Sequence, residues 1–96
     1  MKISTLLKSP GNWTQGFFAR DKFNNPVNSN NPGAVKFCLV GAMRICYPDL
    51  EKRQDALDKL TRALPRRYKR SGVVLFNDAR TRKFSDIQRL VRRAKV

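Results

Sequence analysis

The stretch AVKFCLVGAMRIC, residues 34–46, is apolar apart from two charged side chains. Asn31 and Pro32 lie just before it, and Asn is a favoured N-cap while Pro suits the first helical position. Pro48 lies just beyond its end. We therefore predict one helix that is apolar nearly all round and lies in the middle of the domain. Gly41 inside it indicates a close approach by a neighbouring element.

Two amphipathic helices are predicted C-terminal to this stretch. The first follows an Asp49 cap and ends at Pro65, with its leucines on one face. Those leucines are Leu50, Leu57, Leu60 and Leu64. The second is capped by Thr81 or a nearby residue and carries an apolar stripe opposite its arginines. That stripe consists of Phe84, Ile87, Leu90, Val91 and Ala94.

Two further segments predict strands. NWTQGFFARD, residues 12–21, alternates and is rich in aromatic residues, and VVLFND, residues 73–78, is a short apolar run before two turn-forming residues. Strict alternation would place Phe17 and Phe18 on opposite faces of the first strand. The fold class we predict is α+β, in which about three helices pack on a short two-stranded ribbon. Residues 1–96 are expected to form a single domain.

Positive charge is concentrated in the C-terminal section, residues 59–96. This section has thirteen Lys and Arg against two Asp, a formal charge of +11, whereas residues 1–58 carry only +3 of the total +14. A solvated face normally carries both signs of charge, so this asymmetry favours a surface that binds a polyanion. Nucleic acid, a ribonucleoprotein and an acidic protein face are all compatible with it.

The candidate binding residues are the basic side chains of that section, in which Arg is favoured over Lys. Arg suits bidentate contacts with phosphate. Tyr68 lies among them, in RRYKR, and is a candidate for stacking on an exposed base. The basic candidates are Arg66, Arg67, Lys69, Arg70, Arg80, Arg82, Lys83, Arg89, Arg92, Arg93 and Lys95. A solvated helix face with a charged loop is the alternative.

Polar residues at the ends of the two predicted strands form a second candidate site. They are Trp13, Gln15, Arg20, Asp21, Asn77 and Asp78. If the strands pair, these side chains converge on a pocket for a small ligand. We favour a structural role, in which Arg20 and Asp21 bond to the backbone and to each other and the Asn-Asp pair turns the chain.

Catalysis, metal binding and membrane insertion are not expected. The chain has no His, and a nucleophilic Cys usually needs an adjacent base, so we interpret Cys38 as a buried apolar residue. Cys38 and Cys46 lie about 12 Å apart along the predicted helix, too far for a disulfide. Two Cys without His do not complete a zinc site, and we predict no metal and no cofactor.

We expect a cytoplasmic protein, because no run is long enough to span a membrane and the N-terminus lacks a signal peptide.

Three blocks of the sequence resemble a family of small uncharacterised proteins from phages and bacteria. The blocks are WTQGFFARD at 13–21, AVKFCLVGA at 34–42 and the Asn77-Asp78 pair. The family pattern is Trp-Thr/Cys-Gln-x-x-x-Ala-Arg-Asp, then Ala-Val-x-Phe/Trp-Cys-x-x-Gly-Ala, then Asn-Asp. The resemblance implies a phage or bacterial origin and a shared fold, and it brings no known function.

The sequence therefore predicts a small, non-enzymatic binding protein, phage-encoded and acting in the host cytoplasm. It would bind nucleic acid or a nucleic-acid-containing host complex through the basic C-terminal face, in host takeover or in inhibition of a defence complex. The alternative is an adaptor that binds an acidic host protein directly, with an aromatic anchor from residues 13–18 or Tyr68. The sequence leaves open the choice between DNA and RNA, any sequence preference and the oligomeric state.

Overall fold

Five α-helices and a small antiparallel sheet make up the chain, whose computed structural model describes residues 1–96. The helices are α1 (Ile3–Leu6), α2 (Leu39–Cys46), α3 (Leu50–Ala63), α4 (Gly72–Asp78) and α5 (Phe84–Ala94). The strands are β1 (Ala19–Asp21), β2 (Pro26–Val27) and β3 (Ala34–Phe37), arranged in the order β2-β1-β3. Single 3-10 turns cover Pro10–Asn12 and Arg66–Tyr68. The predicted α+β class is confirmed, although the sheet has three strands instead of two and the helices number five.

The stretch at residues 34–46 divides at Cys38 into a strand and a helix. Its first part, β3, pairs antiparallel with β1, and Phe37 lies opposite Ala19. Cys38 has extended backbone angles and is the N-cap of α2, where its Sγ accepts a hydrogen bond from the Gly41 N–H at 3.3 Å. The prediction of one continuous helix is therefore wrong for residues 34–37.

Asn31 turns the chain into β3 instead of capping a helix. Its Oδ1 accepts a hydrogen bond from the Gly33 N–H at 2.7 Å, and its carbonyl oxygen accepts one from the Ala34 N–H at 3.0 Å. An Asn side chain that bonds to the backbone two residues later is typical of a turn. Because Asn favours both helix starts and turns, its presence alone did not distinguish the two.

Gly41 lies where α2 crosses the backbone of residues 16–18. A Cβ atom at Gly41 would lie 2.0 Å from the Phe18 carbonyl oxygen, so a larger residue requires a backbone shift. The same oxygen accepts a hydrogen bond from the Cys38 N–H at 3.1 Å. The predicted close approach at Gly41 is confirmed.

Residues 73–78, predicted to be a strand, belong to the helix α4. Its buried side chains are Val73, Phe76 and Asn77, whereas Val74 and Leu75 are exposed. Burial at positions i, i+3 and i+4 is the pattern of a helix that packs on one face. A short apolar run does not by itself distinguish a strand from a helix, which explains the error.

The other predicted strand is also shorter than expected. Only its last three residues, Ala19–Asp21, are in the sheet, while Trp13 makes an isolated bridge with Phe37. Gly16 has φ of 85°, a conformation that favours glycine and interrupts the extended chain. Residues 16–18 therefore form an irregular segment in front of α2.

Helix α5 packs against both α3 and α1. Its predicted stripe is confirmed at Ile87, Leu90, Val91 and Ala94, which are buried. Lys83, not Thr81, is its N-cap, and the Asp86 Oδ2 accepts a hydrogen bond from the Lys83 N–H at 3.0 Å. Because the stripe faces the core, the arginines of α5 must lie on its outer sides.

Helix α3 begins as predicted, since the Asp49 Oδ1 accepts a hydrogen bond from the Glu51 N–H at 3.0 Å. Leu60 and Leu64 are buried, but Leu50 is 74% exposed and does not belong to the packed face. None of the five helices is long and apolar enough to cross a membrane.

Candidate nucleic-acid interface

A cleft of about 140 Å³ runs along α5 beside the end of α3. Three arginines, Arg82, Arg89 and Arg93, line it together with the single carboxylate of Asp86. Asp86, Arg89 and Arg93 have the spacing i, i+3 and i+7, which places them on one side of α5. The floor is apolar and includes Phe76 and Leu90. We call this space the arginine cleft.

Arg82 is held rigidly in the arginine cleft. Its Nε donates a hydrogen bond to the Phe76 carbonyl oxygen at 2.7 Å, and its guanidinium carbon lies 3.7 Å from the centroid of the Phe76 ring. Its Nη1 lies 3.7 Å from Asp86 Oδ2, and its side chain is only 15% exposed. Arg82 therefore helps to hold the fold as well as contributing charge to the cleft.

Arg89 and Arg93 are freer than Arg82. Arg89 has a side chain that is 70% exposed, and its Nη1 lies 3.8 Å from Asp86 Oδ1, a long ion pair near the surface. The Arg93 Nη1 donates a hydrogen bond to the Ala63 carbonyl oxygen at 3.4 Å. Exposed ion pairs of this kind contribute little to stability. Both guanidinium groups can therefore turn to an incoming anion at little cost.

A second cleft of about 300 Å³ adjoins the first. Lys59, Arg62 and Arg93 line it with two alanines, so Arg93 lies in both clefts. Lys59 also pairs with Asp55 at 3.1 Å, one turn earlier in α3. The Lys69 Nζ donates a hydrogen bond to the Arg62 carbonyl oxygen and brings the connector between α3 and α4, residues 64–71, to this edge. Together the two clefts are lined by five cations and one carboxylate, Asp86, while Asp55 lies outside the lining as the partner of Lys59.

Lys59 and Arg62 were not among the residues predicted from the sequence. Both lie in the C-terminal half of α3, where basic residues are expected simply because they complement the helix dipole. Their position within the basic section was a usable signal, but only the packing of α3 on α5 shows that they lie beside Arg93.

The remaining predicted basic residues do not join these clefts. Arg92 lies on the other side of α5, in a groove of about 160 Å³ that it shares with Ser4 of α1 and with Leu7 and Lys8 after that helix. The others are exposed side chains on the connector, on the loop before α5 and at the C-terminus. They are Arg66, Arg67, Arg70, Arg80, Lys83 and Lys95.

Tyr68, the predicted stacking residue, packs on the side of the arginine cleft. Its ring meets that of Phe76 edge to face at a centroid distance of 5.3 Å. The guanidinium carbons of Arg82 and Arg67 lie 5.0 and 5.6 Å from the Tyr68 centroid. The ring is half-buried and already in contact on several sides.

The second predicted site brings four of its six residues together around Asn77. The Asn77 Oδ1 accepts hydrogen bonds from Trp13 Nε1 at 2.9 Å and from the Leu39 N–H at 3.1 Å. Its Nδ2 donates to the Thr14 carbonyl oxygen at 3.2 Å and to Asp78 Oδ1 at 2.8 Å. Asn77 is 1% exposed, and its side chain makes all four of these bonds inside the fold.

Gln15 and Asp78 complete this cluster at the end of α4. The Gln15 Nε2 donates hydrogen bonds to the carbonyl oxygens of Asn77 at 2.8 Å and Ala79 at 2.9 Å. The Gly16 N–H donates to Asp78 Oδ1 at 3.0 Å. These contacts fasten residues 13–16 to α4. The expectation that the Asn-Asp pair turns the chain out of a strand is wrong, because both residues belong to the last turn of a helix.

Arg20 and Asp21 lie outside the cluster and do not pair with each other, contrary to expectation. The Arg20 Nε donates a hydrogen bond to Thr14 Oγ1 at 2.8 Å. The Asp21 Oδ1 accepts hydrogen bonds from the N–H groups of Asn25 and Phe23, each at 2.9 Å, and these bonds lower the pKa of Asp21. Asp21 therefore holds the turn after β1.

Cys38 lies at one edge of a groove of about 210 Å³ between residues 16–18 and α4. Burial raises the pKa of the Cys38 thiol, although the N–H groups of Gly41 and Val40 oppose that effect. The thiol therefore stays protonated at neutral pH and is a poor nucleophile. Cys38 and Cys46 are both free thiols.

Comparison with known proteins places this fold in a family. A model of the family of unknown function DUF6197 matches residues 2–95. The comparison with curated proteins found no match, and neither did the comparison with solved structures. The match to the family model covers nearly the whole chain and confirms the resemblance to an uncharacterised family. The chain belongs to the family of unknown function DUF6197.

Proposed function

We propose that this protein binds nucleic acid, free or within a host ribonucleoprotein, through the two adjoining clefts between α3 and α5. One observation carries the proposal: Arg93 lines both clefts and joins the cations of α3 to those of α5. Five cations and one carboxylate line the two clefts, and Lys59 is also paired with Asp55, which leaves a local formal charge of +3 in and around them. Concave surfaces of one sign concentrate counterions, and a nucleic-acid backbone is the polyanion that offers regularly spaced phosphates.

The chemistry of binding would be counterion release. Arg89 and Arg93 would exchange their weak partners, Asp86 and the Ala63 carbonyl oxygen, for phosphate oxygens. Arg82 is fixed in place and would supply charge without reorganisation. Guanidinium groups bind phosphate through two parallel N–H bonds, and three of them around one cleft carry more positive charge than the carboxylate of Asp86 neutralises.

The proposed role is binding without catalysis. The Gln15 amide and Asp78 Oδ1 hold backbone groups of the fold, and the Cys38 thiol is protonated at neutral pH. We place this activity in the cytoplasm of a phage-infected bacterium, in host takeover or in inhibition of a defence complex. The support for that setting is the resemblance of the three sequence blocks to phage and bacterial proteins.

The salt dependence of binding tests the proposal. The affinity for a labelled oligonucleotide would be measured by fluorescence anisotropy between 50 and 200 mM salt. Neutralising about five phosphates with the five cations of the clefts predicts a loss of about 500-fold for a duplex and about 100-fold for a single strand over that range. Affinity purification from host cells, with and without nuclease, identifies the natural partner. Affinity that is absent, or equal at both salt concentrations, contradicts the proposal.

A further inference from the structure

Exposed phenylalanines in this chain lie next to cations. Phe17, Phe18 and Phe23 are 50%, 42% and 73% exposed. The Arg20 guanidinium lies 4.8 Å from the Phe17 centroid, that of Arg44 lies 4.3 Å from Phe18, and the Lys22 ammonium lies 5.2 Å from Phe23. All of them belong to the N-terminal half, away from the basic C-terminal section.

Two of these rings, Phe17 and Phe18, line the groove of about 210 Å³ beside Cys38. Val40 and Val74 complete its apolar walls, and Asp78 lies at its polar end. The groove is smaller than the roughly 300–1,000 Å³ sites that hold drug-sized ligands. Its size and its aromatic walls suit one flat ring.

The groove is held open by the fold. The Phe18 carbonyl oxygen accepts a hydrogen bond from the Cys38 N–H at 3.1 Å, and the Gly16 N–H donates one to Asp78 Oδ1 at 3.0 Å. These bonds fix the irregular segment against α2 and α4. The Asp78 Oδ1 also accepts from Asn77 Nδ2, while its Oδ2 accepts from no protein donor. One carboxylate oxygen therefore remains free for a ligand.

We infer that this groove takes one unpaired base of a single-stranded nucleic acid. The inference rests on the proposed function and specifies its substrate as a strand with exposed bases. The base would stack on Phe17 or Phe18, and Asp78 Oδ2 would accept a hydrogen bond from an exocyclic amine. Arg44, which lies over Phe18, would face a flanking phosphate. Arg20, which lies over Phe17, donates hydrogen bonds to Thr14, Asn24 and Gln15, so it would add positive charge from a fixed position.

Helix α4 connects the groove to the arginine cleft. Val74 and Asp78 line the groove, whereas Phe76 forms part of the floor of the arginine cleft. The two sites therefore lie on different faces of one helix, which is about 10–12 Å wide with its side chains. A single strand whose phosphates bind the arginine cleft on one face of α4 could place a neighbouring base in the groove on the other face.

The charges favour a nucleic acid over an acidic protein segment at this groove. Asp78 would repel a carboxylate placed beside it, whereas an exocyclic amine donates to it. A nucleotide carries an aromatic ring that can stack on Phe17 and an amine that can donate to Asp78. Its phosphate brings negative charge towards Arg20. Binding of an acidic protein through the same rings is the competing outcome of the test.

The test compares three labelled probes of about 12 nucleotides: a single strand, its duplex and the same chain without bases. The Phe17→Ala plus Phe18→Ala variant is expected to bind the single strand about 5- to 150-fold more weakly than the native protein. Its affinity for the chain without bases should not change. Phe23→Ala removes a more exposed ring that also lies next to a cation but is outside the groove, and it should leave all three affinities unchanged.

A conservative pair of variants separates stacking from folding. Phe17→Tyr plus Phe18→Tyr keeps both rings and should bind the single strand like the native protein. If the alanine variant fails to fold, the native protein still decides the question, because it should bind the single strand at least 5-fold more tightly than the chain without bases.

The possible results separate this inference from the proposed function. If the native protein binds none of the three probes, both fail. If it binds all three equally and the alanine variant does the same, the clefts bind phosphate and the groove does not hold a base. The inference is also overturned if the alanine substitutions leave the binding of all three probes unchanged but weaken the nuclease-resistant capture of an acidic protein.

Discussion

Trp13 and Asn77 are 64 residues apart in sequence and are joined by a hydrogen bond of 2.9 Å from the indole Nε1 to the amide Oδ1. The same Asn77 side chain bonds to the Leu39 N–H at the start of α2 and to the Thr14 carbonyl oxygen. One buried amide therefore links the N-terminal segment, α2 and α4. The groove and the position of α4 both depend on this connection.

Replacing Asn77 with Ala should destabilise the fold strongly. The change leaves the Trp13 Nε1, the Leu39 N–H and the Thr14 carbonyl oxygen without this partner, and each unsatisfied buried group costs about 1–3 kcal/mol. We expect the free energy of unfolding in urea to fall by about 3 kcal/mol or more. Asn30→Ala, at an exposed position, is the control and should change it by less than about 0.5 kcal/mol. A loss below about 1 kcal/mol for Asn77→Ala contradicts this structural role.

Gly41→Ala tests the contact between α2 and residues 16–18. The added Cβ would lie 2.0 Å from the Phe18 carbonyl oxygen, so the segment must move away. Overpacking of this kind costs about 1–3 kcal/mol, measurable as a lower urea midpoint. A Cβ at Gly11 meets nothing within 4 Å, so Gly11→Ala should be nearly neutral. If Gly41→Ala and Gly11→Ala are equally stable, the close contact at Gly41 is contradicted.

The raised pKa of Cys38 predicts how stability depends on pH. Burial favours the neutral thiol in the folded state, so the folded pKa lies above the ordinary value of 9.0. The thiol of the unfolded chain ionises first as pH rises, and the free energy of unfolding should fall above pH 9. Cys46 and Tyr47 have raised pKa values from burial as well and act in the same direction.

Replacing Cys38 with Ala removes one of these three groups. The slope of unfolding free energy against pH should therefore be shallower above pH 9 in Cys38→Ala than in the native chain. Urea unfolding at several pH values measures that slope. An unchanged slope would show that the Cys38 thiol ionises equally well in the folded and unfolded states.

The amphipathic helices were predictable because their sequence pattern and their packing agree. In α5 the spacing of Ile87, Leu90, Val91 and Ala94 already identified the buried face. Apolar runs without polar interruptions were not predictable in the same way. The stretch at residues 34–46 became a strand and a helix because Phe37 pairs with Ala19, and residues 73–78 became a helix because Asn77 is buried beside Trp13.

The site was only partly predictable for the same reason. Arg89 and Arg93 follow from the pattern of α5, but Arg92, next to them in sequence, lies in a different groove. Lys59 and Arg62 joined the clefts through the packing of α3 against α5. Phe17 and Phe18 were expected on opposite faces of a strand, yet both line one groove, because the chain is irregular there.

The double variant Arg89→Glu plus Arg93→Glu should abolish binding and leave the fold intact. Both side chains have only weak partners, Asp86 and the Ala63 carbonyl oxygen. New carboxylates near the C-terminal end of α5 and near Asp86 should cost about 1 kcal/mol or less. Thermal unfolding followed by circular dichroism checks the fold, and anisotropy checks binding. A variant that folds normally and binds at full strength would exclude these clefts.

The most direct test compares Arg93→Glu with Arg92→Glu in salt titrations against a labelled oligonucleotide. The two variants change the same charge in neighbouring residues of the last turn of α5, but only Arg93 lines the two clefts. We predict that Arg93→Glu lowers the affinity by about tenfold or more and lowers the salt slope by about 1, whereas Arg92→Glu has a much smaller effect on both. Equal losses in the two variants would show that diffuse positive charge, not a shaped site between α3 and α5, attracts the nucleic acid.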